Sequence, residues 1–276
     1  MPKRPRMSDA SKLKQGRGLG KGEDYKPFLT VRDVPSKGLR SREKGLKTQR
    51  VHHLLANTED KCFFVFDWSE GVVDIREQFP LPLSETIEIA KRLGIIHPVV
   101  PFTTDLAVMT TDFVLDVIVD GKTVTVARSV KLEKELNDLR VIEKQEIERT
   151  YWREQGVDFA LIITDRDFPE NLYKNVIWIH KALDPEEIPG SLTDELIDQA
   201  EKFLFEKISS NTNKPLSHIA LAADKQLGFQ LSTCLWIVKH LIATRRWNVD
   251  MYKEIEPTMP LAILQVTSAQ MEVKNV

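Results

Sequence analysis

The sequence predicts an α/β domain followed by a mostly helical domain, and three observations support this prediction. Residues 111–131 hold two runs of β-branched and apolar residues that meet at Asp120 and Gly121, a strong hairpin signal because a type I′ turn needs positive φ at both positions. A long charged helical pattern follows, and then a short apolar run at 157–164 that is typical of a buried strand. Beyond residue 168, three helical patterns follow one another, at 192–208, 216–227 and 232–243.

The hairpin pattern brings a carboxylate and an ammonium together. With a two-residue loop, Val119 faces Lys122 and Asp112 falls opposite Ser129. Lys131 shares a face with Ser129, because side chains two residues apart on a strand point the same way. Asp112 and Lys131 therefore converge at the open end of the hairpin. The opposite face is predicted to be core, and it carries Phe113, Leu115, Val117, Val119, Val124, Val126 and Val130.

This pair of side chains suits metal-assisted hydrolysis of a phosphodiester. Mg2+ prefers carboxylate oxygens and keeps several waters, which leaves positions for a scissile phosphate. A neighbouring Lys can stabilise the charge that develops on phosphorus or hold the attacking water. The alternative is an edge hairpin on which Asp112 and Lys131 are merely solvated.

A second carboxylate lies on a helix predicted to be capped by Asn57 or Thr58 and to run through Phe66. Glu59 is followed at helical spacing by apolar residues, so it lies on the apolar stripe and not on the solvated face. A carboxylate that faces a core is costly unless a cation or a metal compensates it. The alternative is a Glu in the first helical turn that the helix dipole favours.

Charge is distributed unevenly along the 276 residues. The formal net charge is −2, yet residues 1–50 hold 15 Lys and Arg against 5 Asp and Glu. We therefore predict a flexible basic arm at 1–22 that binds a polyanion. The sequence changes character near Phe168, where Pro169, Pro185 and Pro189 follow, so we place the boundary between a catalytic domain at 23–168 and a second domain at 169–276 there. The alternative for the arm is a solubilising tail.

Cysteine usage and hydropathy indicate a cytoplasmic protein. Cys62 and Cys234 lie far apart in apolar runs, which gives neither a zinc pattern nor a disulfide framework, so we expect buried free thiols. No apolar run approaches 18 residues, and no apolar segment follows the basic N-terminus, so neither a membrane span nor a signal peptide is expected.

Three short helices followed by an alternating segment at 249–253 resemble a winged helix in the C-terminal domain. The third helix would read DNA if the module binds DNA. Its residues are mostly apolar, however, with Lys239 and His240 as the basic exceptions before Arg245 and Arg246. Docking of a protein on this helix is therefore an equal alternative.

Several long, irregular motifs together resemble the TnsA family of transposon endonucleases. They cover residues 16–165 densely and include Gly-Arg-Gly at 16–18, Asp-Tyr at 24–25, Arg-Val-His-His-Leu-Leu at 50–55, Asp-Ile-Arg-Glu-Gln-Phe-Pro-Leu at 74–81, Thr-Asp-Phe at 111–113, Val-Lys at 130–131 and Tyr-Trp at 151–152.

The resemblance implies a restriction-endonuclease-like fold of the PD-(D/E)xK type, followed by a winged-helix-like domain. It implies Mg2+-dependent cleavage, with Mn2+ as a substitute, at the 5′ ends of a transposon during cut-and-paste transposition. The implied partners are transposon-end DNA, a TnsB-type DDE transposase that cuts the 3′ ends, and a TnsC-type ATPase regulator. The expected location is the cytoplasm, on the nucleoid when the protein is bound to DNA.

By position, the resemblance implies Glu59, Asp112 and Lys131 as catalytic residues. The implied metal ligands are Glu59, Asp112, Ser129 and the Val130 carbonyl, although the slot of Ser129 usually holds Glu, Asp or Gln in this nuclease class. Two alternatives follow, namely another nuclease of the same fold and a catalytically weakened DNA-binding or scaffold subunit. The basic residues expected to track the DNA backbone are Arg17, Lys21, Arg40, Arg42, Lys44, Lys47 and Arg50.

Overall fold

A computed structural model describes residues 7–34, 40–166, 168–190 and 192–267 of the chain. The chain divides into two compact units, Met1–Phe168 and Pro169–Val276. The helices and strands of the first unit are α1 (Asp9–Lys14), β1 (Ser41–Lys44), β2 (Val51–Leu54), α2 (Asn57–Trp68), β3 (Val72–Pro80), α3 (Leu83–Leu93), β4 (Thr110–Val119), β5 (Lys122–Lys131), α4 (Leu139–Glu154) and β6 (Asp158–Ile163).

A four-stranded mixed sheet organises the first unit, with the strand order β3-β4-β5-β6. The first three strands are antiparallel neighbours, and β6 runs parallel to β5 after the crossover through α4. The predicted hairpin register is confirmed, since Val119 pairs with Lys122. Asp120 and Gly121 have φ of +49° and +72°, the two left-handed positions that a type I′ turn requires.

Both faces of the sheet are covered, which the alternating pattern of the hairpin did not reveal. On one face, α2 packs through Cys62 and Phe63 against Phe113 and Val130. On the other face, α3 and α4 pack against Val114 and Ala127, which were not among the predicted core positions. The prediction of core positions was wrong at Val119 and Val124, which are exposed near the turn of the hairpin.

The second unit is helical with a short two-stranded ladder. Three of its helices share a core that includes Leu204, Leu216, Ile237 and Leu241. The predicted alternating strand at 249–253 was wrong, because Asp250 caps a turn there. The elements are α5 (Glu170–His180), α6 (Asp194–Ser210), α7 (Leu216–Leu227), α8 (Thr233–Ala243), β7 (Trp247–Asn248) and β8 (Gln265–Val266), the last two antiparallel. None of the described helices is both long enough and apolar enough to cross a bilayer.

Candidate active site

Asp112 and Lys131 meet where β4 begins and β5 ends. The Lys131 Nζ lies 3.1 Å from Oδ2 of Asp112 and donates a 2.7 Å hydrogen bond to the carbonyl of Val130. The same Asp112 oxygen accepts the backbone N–H of Val130 at 2.7 Å. Adjacent strands of one rigid hairpin therefore fix the carboxylate and the ammonium relative to each other, as the register predicts.

Glu59 reaches the same site from the first turn of α2. Its side chain is buried, at 6% relative exposure, and its Oε2 accepts the backbone N–H of Leu55 at 2.8 Å. Burial, and then the nearby charge of Asp112, raise the pKa of Glu59 above the usual range of a carboxyl group. The structure thus brings together the three side chains that the sequence analysis selected.

A third acidic side chain, Glu148 of α4, completes the site and was missed by the sequence analysis. It is 2% exposed and accepts hydrogen bonds from Ser129 Oγ at 2.6 Å and from Gln145 Nε2 at 3.0 Å. Burial, and next the charge of Asp112, raise the pKa of Glu148 to about 7. Its position three and four residues before the buried Tyr151 and Trp152 could have revealed it, by the same argument that selected Glu59.

Lys131 is the cation that faces this acidic cluster. Burial alone would lower the pKa of Lys131, but the charges of Asp112 and Glu148 raise it above the usual range of a lysine. The amine therefore stays protonated near neutral pH. A permanent positive charge suits stabilisation of a phosphate, whereas a general base would need a lowered pKa.

The donor set fits a hard divalent cation. Glu59 and Asp112 offer carboxylate oxygens, and both hydrogen bonds to Asp112 described above use Oδ2, which leaves Oδ1 for a ligand. Nowhere in the described residues do three or more His, Cys, Asp or Glu side chains form a complete metal cage. Mg2+ does not require such a cage, because it commonly binds through one or two carboxylates and retains waters.

Two of the expected ligands make other contacts. The Ser129 hydroxyl is buried and donates to Glu148, so the structure gives it the task of holding that carboxylate instead of a direct bond to metal. The Val130 carbonyl accepts the Lys131 ammonium.

Three of the basic residues expected to contact DNA are engaged within the protein. Arg50 is buried and forms a bidentate ion pair with Glu77, at 2.8 and 2.5 Å, so its assignment to the DNA-binding surface was wrong. Arg17 pairs with Asp33 at 2.6 Å. Lys21 pairs with Asp116 at 2.8 Å, although its own side chain is largely exposed. Helix α1 and these pairs show that residues 7–22 are packed on the domain and do not form the flexible arm predicted for 1–22.

The remaining basic residues lie on and around the β1–β2 hairpin. Arg42 and Lys44 are exposed on β1, and Lys47 is half-buried in the hairpin turn. Arg40 is exposed and donates hydrogen bonds to the carbonyls of Val31 and Val34. Arg40, Arg42 and Lys44 therefore face solvent in the structure, as does most of the Lys21 side chain.

Comparison with known proteins identifies the class. Residues 69–164 match the family described as TnsA-like endonuclease N terminal, and residues 167–251 match the family described as TnsA endonuclease C terminal. The chain is therefore a nuclease with the two-part organisation of these families.

A curated relative then gives the particular family. The chain is 40% identical over 263 residues to the transposon Tn7 transposition protein TnsA of Escherichia coli, a match that covers 95% of this chain and 93% of the relative. The chain belongs to the TnsA family. The resemblance seen in its motifs is thereby confirmed.

Proposed function

We propose that this chain is the metal-dependent DNA endonuclease subunit of a heteromeric transposase and cleaves the 5′ ends of the transposon. One observation carries the proposal. In a TnsA-family chain, Lys131 and three carboxylates, from Glu59, Asp112 and Glu148, converge where β4 begins and β5 ends. Three acidic groups around one cation are costly unless a ligand of positive charge compensates them.

Glu59 and Asp112 would hold Mg2+, with Mn2+ as a substitute. The metal, when bound, lowers the pKa of a water and neutralises charge on the phosphate. Lys131 places its ammonium beside Asp112, where it would stabilise the negative charge that develops on phosphorus or hold the attacking water. Glu148 and Ser129 support this arrangement from α4 and β5. Attack of water on phosphorus with departure of the 3′ oxygen leaves a 3′-hydroxyl and a 5′-phosphate.

The proposed partners follow from the relative, which is named as a transposition protein. They are transposon-end DNA, a TnsB-type transposase that cuts the opposite strands, and a TnsC-type ATPase regulator. Arg42 and Lys44 on β1 supply the exposed positive charge that would meet the DNA backbone. The proposed site of action is the cytoplasm, on nucleoid DNA.

At the level of fold, we propose a PD-(D/E)xK nuclease domain followed by a winged-helix-like domain. The mixed sheet β3-β4-β5-β6 with α2 and α4 on its two faces supports the first part. Helices α6, α7 and α8, followed by the β7–β8 ladder, support the second. Leu231, Leu235 and Trp236 leave the start of α8 apolar, which favours a protein partner there over DNA.

The neutral Ser129 suggested the alternative of a catalytically weakened DNA-binding or scaffold subunit. Glu148 argues against this alternative, because it supplies a carboxylate at the same place.

The decisive assay is cleavage of end-labelled transposon-end DNA in Mg2+ with a TnsB-type transposase present. Asp112→Asn should lower 5′-end cleavage by about 10³-fold or more, whereas Asp105→Asn, at an exposed loop position, should leave it unchanged. Cleavage by Asp112→Asn at the rate of the unmodified protein contradicts the proposal.

A further inference from the structure

Gln145 of α4 lies one helical turn before Glu148 and on the same side of the helix. Because β6 runs parallel to β5, the helix that connects them runs antiparallel to both, and its first turns lie at the edge of the sheet where β5 ends. Lys131 is the last residue of β5. Gln145 is therefore closer than Glu148, along α4, to the edge of the sheet that carries Lys131.

Both oxygens of the Glu148 carboxylate are held by hydrogen bonds. Its Oε1 accepts the Ser129 hydroxyl at 2.6 Å, and its Oε2 accepts Nε2 of Gln145 at 3.0 Å. Because an ionised carboxylate only accepts, the end of the Gln145 amide that faces Glu148 must be the donor Nε2. One contact comes from β5 and the other from α4, so the carboxylate is fixed relative to the strand that carries Lys131.

The other end of the Gln145 amide has no partner among the residues that the structure describes. Its Oε1 atom is buried and accepts no hydrogen bond. An amide that served the fold alone would be expected to have both ends paired, because a buried acceptor without a partner costs about 1 to 3 kcal/mol. The unpaired oxygen therefore favours a role for Gln145 in the site over a role in the fold.

We propose that Gln145 is a positioning residue that fixes the Glu148 carboxylate beside Lys131 and the divalent cation. The inference rests on the metal-dependent nuclease function proposed above. Ser129, which anchors the other oxygen of Glu148, lies two residues before Lys131 and on the same side of β5. Groups that orient a metal site in this way commonly change metal affinity or activity by about 10- to 100-fold when they are removed.

The same helix offers a matched control for substitutions of Gln145. Gln145→Met removes the amide from a side chain of similar length and leaves Glu148 with Ser129 alone. Gln145→Asn is the second variant, because it keeps an amide but withdraws it from Glu148 by one methylene. Gln155→Met is the control, because Gln155 Nε2 also donates to a glutamate, Oε2 of Glu85 at 3.0 Å, but at the exposed C-terminal end of α4.

The experiment is titration of the full chain with Mn2+, followed by electron paramagnetic resonance, with the thermal midpoint and near-ultraviolet circular dichroism of each variant as fold checks. Gln145→Met and Gln145→Asn should raise the Mn2+ dissociation constant by about 10-fold or more with a native dichroism spectrum, whereas Gln155→Met should change it by less than about twofold. In cleavage of transposon-end DNA, Gln145→Met should cost about 10-fold or more in the unmodified protein. In the Glu148→Gln background it should cost less than about twofold, because the group through which Gln145 acts is already lost. If the methionine variant loses its native spectrum, the asparagine variant decides.

Unchanged Mn2+ affinity in a folded Gln145 variant overturns the inference, and so does an equal loss of cleavage with and without the Glu148 carboxylate. A purely structural role would give that equal loss together with a lower thermal midpoint. Asp112→Asn, titrated in parallel, keeps this failure distinct from a failure of the proposed function. Loss of Mn2+ binding in Asp112→Asn with normal binding in the Gln145 variants rejects only the positioning role. Normal binding in Asp112→Asn rejects the metal site itself.

Discussion

The Ser129 hydroxyl on β5 lies 2.6 Å from Oε1 of Glu148 on α4. Ser129 stands two residues before Lys131, in the slot that usually carries an acidic or amide side chain in this nuclease class. The hydrogen bond brings a carboxylate to that place from the neighbouring helix. The acidic character of the site therefore depends on the packing of α4 against the sheet through Ile147 and Trp152, and not on the strand alone.

Glu148→Gln should lower cleavage of transposon-end DNA by about 10²-fold or more, because it removes a charge from the site at nearly constant volume. Ser129→Ala should lower it by about tenfold, because the carboxylate stays but loses its orienting partner. Glu146→Gln is the control, since Glu146 is on the same helix but pairs with Arg149 at the surface. Rates are measured with saturating partner transposase. Equal losses in the Glu146 and Glu148 variants would mean that cleavage depends on the total negative charge of α4 and not on a carboxylate inside the site.

The metal-free protein should lose stability as pH rises from about 4.5 to about 7. The pKa of Glu148 is about 7 in the folded protein, above the ordinary carboxyl value of 4.5, so the folded state binds more protons within this window and the free energy of unfolding falls with rising pH. At pH 8 this penalty is roughly 3 kcal/mol. Urea denaturation in chelator at pH 5 and pH 8 measures it.

Glu148→Gln removes the titrating group and isolates its contribution. The variant should be more stable than the unmodified protein at pH 8 and close to it at pH 5. A saturating divalent cation should reduce the gain at pH 8, because bound positive charge compensates the carboxylates. A parallel pH dependence in the two proteins would show that Glu148 is not responsible.

What could be predicted from the sequence was local. The Asp120-Gly121 turn sets the register of β4 and β5, and that register alone places Asp112 beside Lys131. Glu59 was also predictable, because a carboxylate on an apolar helical stripe is visible from helical periodicity. These inferences need only the register of one hairpin or the periodicity of one helix, which relate residues that are close in the sequence or paired across one turn.

What could not be predicted depended on contacts between distant elements. Arg50 was assigned to the DNA surface because it belongs to a basic stretch, and only the packing of β2 on β3 shows that Glu77 neutralises it. Glu148 lies in a helix rich in charge, so its burial follows from which face α4 turns to the sheet. The left-handed backbone of Gln78 has no signal in the sequence, since glutamine is not a residue that marks such a turn.

Substitution of Arg42 and of Arg50 should affect different properties, although both residues lie in one basic segment. The first should change DNA affinity and the second should change stability. Arg50→Ala leaves the buried Glu77 without its guanidinium partner and should cost about 3 to 5 kcal/mol in the free energy of unfolding. Arg42→Ala, at an exposed position on β1, should leave stability unchanged and reduce the slope of log affinity for DNA against log salt by about 1. Urea denaturation and binding titrations at several salt concentrations measure the two effects. Weaker DNA binding in a folded Arg50→Ala protein, with no loss in Arg42→Ala, would reverse these assignments.

Gly20 should prove essential for the packing of residues 16–22. Gly20 has φ of +94°, and a Cβ there would lie 2.5 Å from the backbone oxygen of Asp24. Gly22 is the matched control, because it is also left-handed, with φ of +54°, but a Cβ would meet no atom within 4 Å. Gly22→Ala should cost about 1 kcal/mol from backbone strain alone, and Gly20→Ala should cost about 2 kcal/mol more, because the clash adds to the strain. If residues 16–22 were a mobile arm, Gly20→Ala would not lower the free energy of unfolding. It would raise it slightly, because an unstrained Gly→Ala substitution restricts the unfolded chain. Denaturation of the two variants therefore decides whether this segment is part of the folded domain in solution.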